Sequence, residues 1–600
     1  MVSGVAGMTA ASRTMDQNAT NGKSKWGMID APTFPQHLTN NPMPDGKPWG
    51  MRNGLDNKPY SKQIPATGVT RYYDFDVRRG VLAPDGFQKN GLFVNGEFPG
   101  PAIEANWGDW IEVRVHNNIE YTKDGKSEGT SMHFHGMPQR DTQWFDGVPG
   151  FTQCPIAPGS SFTYRFRAEV YGTSWWHSHY SAQYTAGLWG PLIIYGPNHV
   201  DYDIDLGPVM LGDYYHRDYQ DIVADAVSTS DDFNIYVPFS DNSLINGKSN
   251  YNCSMAAPNS TCYGNAGLAQ FSLSPGKTHR LRLMNTGAAT LLHFSIDGHK
   301  MQVIANDFEP VVPYTADVVT LHVGQRTDIL VKADACPTAT YWMRSTLAGN
   351  CSDAYTREAK AVVSYQGYNS NIQLPNSTIS PAAAKADEVT TLCRNDDLRK
   401  TIPYYPQKLD LQPDTVETIN IDLFTNATGN HVWITNNRTQ YTDYNTPILL
   451  EAAKANFTHL DPSANVYNFG SNKTVRIVLN TNYQSDHPMH LHGHSFQVLA
   501  EGLGPWDGKT IINPENPLRR DVHTLPRYGH LVIQYTADNP GVWTYHCHIA
   551  WHASMGLNIG ILEQPKQLAE KEIPYTTRQT CVDWNNWTNM NIVEQIDAGI

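Results

Sequence analysis

Histidine is the commonest protein ligand for transition metals, and this sequence gathers it in four short runs. His133-Phe134-His135 and His177-Ser178-His179 each place two imidazoles two residues apart. On a strand such positions project from one face, so each run is a two-toothed clamp. His487-Pro488-Met489-His490-Leu491-His492-Gly493-His494 and His546-Cys547-His548-Ile549-Ala550-Trp551-His552 complete the set. The last run carries the most information. Strand alternation sends Cys547 to one face and His546 and His548 to the other, so one backbone segment joins two sites. A thiolate with two imidazoles in a trigonal arrangement is the blue-copper ligand set, and His552 and His487 would complete it around Cys547. Electrons arriving at Cys547 then reach His546 and His548 through a few bonds. One His-x-His pair is ordinarily two unremarkable histidines; four runs with an interleaved cysteine are another matter. Zinc sites close with four ligands and do not call for ten histidines around one cysteine.

The elements that must position these residues read as strands. Tyr72-Tyr73-Asp74-Phe75-Asp76-Val77 and Trp110-Ile111-Glu112-Val113-Arg114-Val115 alternate apolar with polar residues, as half-buried strands do, and Lys473 to Leu479 is a further strand. The 600 residues exceed what one core supports, and 46 Gly and 38 Pro favour many short strands joined by turns. The expected class is all-β. Residues 1–67, rich in Asn, Pro, Gly and Lys, read as an N-terminal extension. Units are expected over 68–200, over 201–366 without a histidine run, and over 415–568, with a linker at 367–414 and a polar tail at 569–600. A weak echo of strand, Gly-rich turn and closing strand among the units suggests repeated β-sandwiches.

The formal charge of −14 argues against nucleic acid or an anionic membrane surface as partner and suits a small neutral or cationic organic substrate. No apolar run is long enough to span a bilayer, and the start Met-Val-Ser-Gly-Val-Ala-Gly lacks signal-peptide character. Asn-x-Ser/Thr sequons at Asn18, Asn252, Asn259, Asn350, Asn376, Asn426, Asn437, Asn456, Asn472 and Asn586 point to a glycosylated, secreted protein. Of eight cysteines, Cys547 is reserved for the metal run. Cys253 with Cys262, Cys336 with Cys351 and Cys154 with Cys581 are plausible pairs, leaving Cys393 over. No pattern sets an oligomeric state.

From about residue 68 onward the chain resembles the ascomycete laccase-type multicopper oxidases. The likeness rests on His133-Phe134-His135-Gly136 running through Trp144-Phe145-Asp146-Gly147 to Gln153-Cys154-Pro155-Ile156, on Gly172-Thr173-Ser174-Trp175-Trp176-His177-Ser178-His179, and on the third and fourth histidine runs, in that order. The resemblance implies three cupredoxin-like Greek-key β-sandwich domains and four copper ions. It implies His487, Cys547 and His552 on the type 1 copper, and His133 and His490 on the type 2 copper. His135, His177 and His548 would hold one type 3 ion, and His179, His492 and His546 the other. His494 occupies a position that is not a ligand in the family. Leu557 falls on the axial position of the type 1 site and cannot coordinate, which raises the expected reduction potential; Met555 is the neighbouring alternative.

The resemblance further implies one-electron oxidation of phenols and related aromatics, coupled to reduction of dioxygen to water. Asp241, in Ser240-Asp241-Asn242-Ser243-Leu244-Ile245-Asn246-Gly247, matches the acid that meets the phenol proton, although Asp-Asn-Ser and Asn-Gly are also ordinary turn signals. Asp146 matches an acid that supplies protons for oxygen reduction. The ending Asp597-Ala598-Gly599-Ile600 is similar to a processed C-terminus that plugs the solvent channel, with departures at Ala598 and Ile600. The alternatives are a dedicated phenol-coupling oxidase of pigment or secondary-metabolite biosynthesis, a metallo-oxidase, and a copper-binding electron carrier. The last needs only the type 1 ligands.

Overall fold

The computed structural model describes residues 25–40, 46–56, 63–119, 127–230, 232, 238–349, 351–367, 374–375, 393–454, 460–590 and 595–600. The described strands form six sheets that fall into three consecutive pairs. In the first pair, Lys89–Val94, Thr70–Leu82, Trp110–Asn117 and Ser161–Arg167 lie side by side, facing the sheet Ile103–Asn106, Trp189–Tyr195, Gly172–His177 and His133–Phe134. The second and third pairs each join a six-stranded to a five-stranded sheet. The all-β, three-sandwich expectation is therefore met.

Alternation does the local work. Trp110–Asn117 buries Ile111, Val113 and Val115 and turns Arg114 to solvent, the period of a strand with one face on a core. Gly541–Cys547 has no outward face; all seven of its residues are buried. It lies between Asn558–Glu563 and His487–Leu491 in the five-stranded sheet of the third sandwich.

The first and third sandwiches share one continuous apolar cluster, to which Met210, Tyr214, Leu244, Met284 and Phe308 of the second also contribute; the second has a further cluster of its own. Docking of the first on the third is thus part of a single core, and the four histidine runs belong to these two units.

Described residues 25–40 and 46–56 of the N-terminal extension pack against the units that follow. Trp26 and Trp49 are buried, Phe34 bridges Asp205 of the second unit, and Leu38 exchanges hydrogen bonds with the Asn106 side chain of the first. In the linker, residues 393–414 are held down by Asn395, which accepts from the Thr524 N–H, and by Tyr404, whose N–H reaches Pro310. The tail contains an unanticipated helix, Tyr575–Met590, fixed by buried Trp584 and by the Cys154–Cys581 disulfide.

Cys253–Cys262 also pairs as anticipated. The suggested Cys336–Cys351 pair does not form: Cys351 is bonded to Cys393 and Cys336 is an exposed free thiol. Sequence proximity misled there, because the partner of Cys351 lies 42 residues away in the chain. Sequons Asn18, Asn350, Asn376 and Asn456 lie outside the described residues; Asn252, Asn259, Asn437 and Asn586 are exposed, and Asn426 and Asn472 partly so. No helix among the described residues is long and apolar enough to cross a membrane.

Candidate metal centre

Register sets the two faces. His490 pairs with His546 and Met489 with Cys547 across antiparallel strands. Cross-strand partners share a face, so His490 and His546 project to one side while His487, Met489 and Cys547 project to the other. In the first sandwich, His133 pairs with His177. The short helix Ala550–Ser554 then returns His552 toward Cys547.

On the cysteine face, Cys547 Sγ lies 3.8 Å from His487 Nδ1 and 3.6 Å from His552 Nδ1, and the two nitrogens are 3.1 Å apart. A triangle of that size suits one first-row ion bound at about 2.0–2.3 Å from each donor. Trp433 packs against both imidazoles, with ring centroids 4.7 and 4.9 Å away. Burial raises the Cys547 thiol well above its ordinary range and brings His552 down to about 3. An uncharged imidazole pair ready to donate lone pairs is the result, and a thiolate here needs a cation beside it. Leu557 is buried; its backbone carbonyl accepts from the Cys547 N–H, and Met555 lines the adjacent cavity.

On the other face eight imidazoles converge. His135, His177 and His548 are mutually in contact, with centroids 5.0–5.8 Å apart, and His179, His492 and His546 form a second trio at 5.2 Å for every pair. His133 and His490 are 5.9 Å apart beside them.

Six of the eight have one ring nitrogen tied outward. His133 Nδ1 donates to the Asp146 carbonyl (2.7 Å), His177 Nδ1 to Ser178 O (2.9 Å), His490 Nδ1 to Asp521 O (2.8 Å) and His546 Nδ1 to Cys547 O (2.9 Å). His492 Nδ1 donates to Asp146 Oδ2 (2.8 Å) and His135 Nε2 to Asp521 Oδ1 (3.2 Å). Each bond fixes a tautomer and aims the other nitrogen's lone pair inward. Those inward atoms, His133 Nε2, His135 Nδ1, His177 Nε2 and His490 Nε2, are buried and without hydrogen-bond partners, as are both nitrogens of His179 and of His548. His492 Nε2 and His546 Nε2 face each other at 3.1 Å. So many orphaned buried acceptors are unsustainable without a ligand, and a set of neutral nitrogen donors fits copper. Desolvation lowers His177, His179, His490, His492 and His548 far below the ordinary imidazole value and His546 to about 4, so none competes as a cation. His494 is not in this set; it bonds Glu563 at 2.9 Å.

Residues without a metal-ligand signature also shape the pocket. Asp521 grips Arg326 through both oxygens, at 2.5 and 2.6 Å, and is pushed up to about 6 by burial. Gly324, from the second sandwich, lies so close that a Cβ would stand 2.9 Å from His548 and 3.1 Å from His135. That unit, read in the sequence as ligand-free, nevertheless braces the cluster. The run Val323-Gly324-Gln325-Arg326 contains no ligand type, so the only signal available was its glycine and arginine.

A cavity of about 20 Å³, room for a water-sized molecule, is lined by His177, His179, His546, His548 and Ile600. The terminal segment is held there by the Ala598 N–H on Ser554 O and by Ser181 Oγ donating to Asp597 Oδ2. A larger cavity of about 250 Å³ opens beside His552, walled by Trp433, Tyr483, Trp551, Leu423, Asp353 and Asp486 among others. Asp241 is not in that wall; its Oδ2 accepts from the His216 backbone N–H at 2.8 Å.

Three successive segments, 76–199, 205–368 and 424–567, match the multicopper oxidase family. An oxidoreductase, OpS5, of Beauveria bassiana is 39% identical over 545 residues, 88% of each chain. Laccase-2 of Botryotinia fuckeliana is 36% identical over 89% of each. The solved structure of the L499M mutant of the laccase from B. aclada superposes with a TM-score of 0.81 at 33% identity, covering 91% of this chain and 97% of that one. With its paired sandwiches and converging imidazoles, the chain belongs to the multicopper oxidase family. Within that family it is a laccase-type, copper-dependent oxidoreductase.

Proposed function

We propose that the chain oxidises phenols and related aromatics by single electrons at the Cys547 site and uses four such electrons to reduce dioxygen to water at the eight-histidine site. When bound, copper supplies the one-electron acceptor at the first site and the oxygen-reducing centre at the second. The assignment carried by the resemblance is supported by the geometry: His487, Cys547 and His552 around a type 1 ion, His133 and His490 on a type 2 ion, and the two imidazole trios on two type 3 ions, four ions in all.

The chain's own residues perform the rest. His552 forms the boundary between the 250 Å³ cavity and the Cys547 site, so its ring edge receives the electron from a docked aromatic. Cys547 is continuous with His546 and His548, and its carbonyl accepts the His546 Nδ1–H at 2.9 Å, giving a covalent route and a hydrogen-bonded shortcut between sites. Asp146 touches both His133 and His492 and is placed to pass protons inward. Leu557, being unable to coordinate, favours a high reduction potential. The ending Asp597 to Ile600 closes the small cavity at the second site. The units 68–200 and 415–568 share the ligands, 201–366 braces them, and disulfides with accessible sequons suit a secreted, N-glycosylated protein.

The observation that carries this reading is the pair of opposed faces on one strand pair, thiolate on one and imidazoles on the other. Anaerobic mixing of the copper-loaded protein with phenols, aromatic amines, ascorbate and Fe(II), followed by admission of oxygen, tests it. Phenols are expected to bleach the blue absorption and oxygen to restore it. Bleaching by Fe(II) alone, or copper binding without oxygen uptake, would reject it.

A further inference from the structure

The cavity beside His552 contains two carboxylates with different commitments. Asp486 is engaged: His322 Nε2 donates to it at 2.8 Å and Arg527 at 3.1 Å. Asp353 is not. Its carboxylate has no hydrogen-bond or ion-pair partner among the described residues, although it is half-buried in the wall. A half-buried carboxylate in the wall of an open cavity, with no protein donor on it, is available to a donor that a docked ligand brings.

The backbone that presents it is rigid. Cys351 is fixed to the linker by the Cys351–Cys393 disulfide, the Ser352 hydroxyl accepts the Leu291 N–H at 3.0 Å, and the Asp353 carbonyl accepts the Ser240 N–H at 3.1 Å. A general base held to this precision needs no reorganisation as the reaction proceeds. His552 turns its Nδ1 to the thiolate and Asp486 is already bonded, so Asp353 is the lining group left to accept a proton.

We infer that Asp353, rather than Asp241, is the catalytic residue that takes the phenolic proton. This deepens the phenol-oxidase reading and rests on it. The step balances simply: as one electron leaves the aromatic ring through His552 toward the thiolate site, the phenolic O–H bond breaks, its proton goes to Asp353 Oδ, and a neutral phenoxyl radical departs. Asp353 then releases the proton to solvent. Four turns supply the electrons that convert one dioxygen, with four protons, to two waters.

Burial raises Asp353 above the ordinary carboxylate range, which brings it toward a phenol's and improves it as an acceptor. Arg357 and Arg527 oppose that rise, Asp486 reinforces it, and Tyr215 feels the Asp353 charge. Phenol oxidation should therefore increase with pH through the raised Asp353 value, because only the carboxylate accepts.

The test compares copper-loaded wild type, Asp353→Asn, Asp353→Glu and Asp241→Asn, with a simple phenol and with ferrocyanide, a donor that carries no proton. Asp353→Asn is expected to lose about 10²-fold or more in kcat/KM for the phenol and to flatten the acidic limb of its pH profile, while ferrocyanide oxidation continues. Asp353→Glu should recover part of the loss, and Asp241→Asn should track wild type. Continued ferrocyanide turnover and a wild-type melting curve establish that Asp353→Asn is folded. Retention of phenol efficiency and pH profile by Asp353→Asn overturns the inference, as does their loss in Asp241→Asn alone. Wild-type protein that oxidises ferrocyanide but no phenol refutes the parent reading instead.

Discussion

Replacing Gly324 by alanine should empty the eight-histidine site while sparing the Cys547 site. Gly324 has φ +85, and an added methyl would lie 2.9 Å from His548 Cδ2 and 3.1 Å from His135 Cε1. A left-handed alanine costs about 1–2 kcal/mol, and overpacking against rings that cannot swing aside costs about 1–3 kcal/mol. His135 and His548 are both buried, so the strain falls on their positions as ligands. The sum, about 2–5 kcal/mol, corresponds to a loss of at least about 30-fold in affinity for the ion those rings are proposed to share. His487 and His552 are not among the atoms the methyl would meet. Copper content after dialysis against a chelator, blue absorption for the Cys547 site and electron paramagnetic resonance for the other provide the assay. The expected result is lost oxygen consumption and lost copper with the blue absorption intact. Wild-type copper content and oxygen uptake, or loss of the blue absorption first, would refute the reasoning.

Asp146→Asn should slow reoxidation of the reduced protein by about 10²-fold while leaving anaerobic reduction by phenol nearly unchanged; stopped-flow absorbance separates the two steps, and equal slowing of both would contradict the proton role. Asp597 is raised to about 6 by burial. A carboxylate raised on docking stabilises the docked tail fully below its unfolded value near 4 and loses that contribution as pH rises through about 6, on the order of 3 kcal/mol in all. Carboxypeptidase release of Ile600 should accordingly be faster at pH 7.5 than at pH 4.5, after correction for the protease's own pH dependence, and an Asp597→Asn chain should lose the difference. Opening the Cys351–Cys393 bridge by Cys393→Ser frees a 42-residue loop and should lower stability by up to about 4 kcal/mol. Calorimetry checks this, and an unchanged melting curve would show that the loop is held without the bridge.

The candidate ligands were legible in the sequence because a strand's period is two and the chemistry of copper needs few residue types. His-x-His and His-Cys-His are short-range statements, and Cys547 between His546 and His548 specifies two faces before any fold is known. The all-β class was legible for the same reason, from the alternation in segments such as Trp110–Asn117. The tail helix was not. Tyr575–Met590 is rich in Thr and Asn, poor helix formers, and an isolated helix of that composition is unfavourable. Its anchors are tertiary: Cys581 bound to a cysteine 427 residues earlier and Trp584 buried.

The residues that sequence reading missed share one property: their roles exist only across unit boundaries. Asp521 reaches His135 of the first sandwich and Arg326 of the second from its place in the third. Gly324 matters because the second sandwich leans on rings supplied by the other two. Asp353 becomes a candidate only when the linker cysteine, Cys393, is seen to fix its loop beside His552. Local pattern therefore marks the candidate metal-binding residues, whereas the choice of substrate depends on surfaces assembled from segments far apart in the chain. A short motif cannot distinguish those surfaces. Asp241 lies in such a motif, beside Asn-Gly turn chemistry, and its carboxylate is bonded to the His216 N–H; the partnerless carboxylate in the cavity wall comes from a loop that no motif marks.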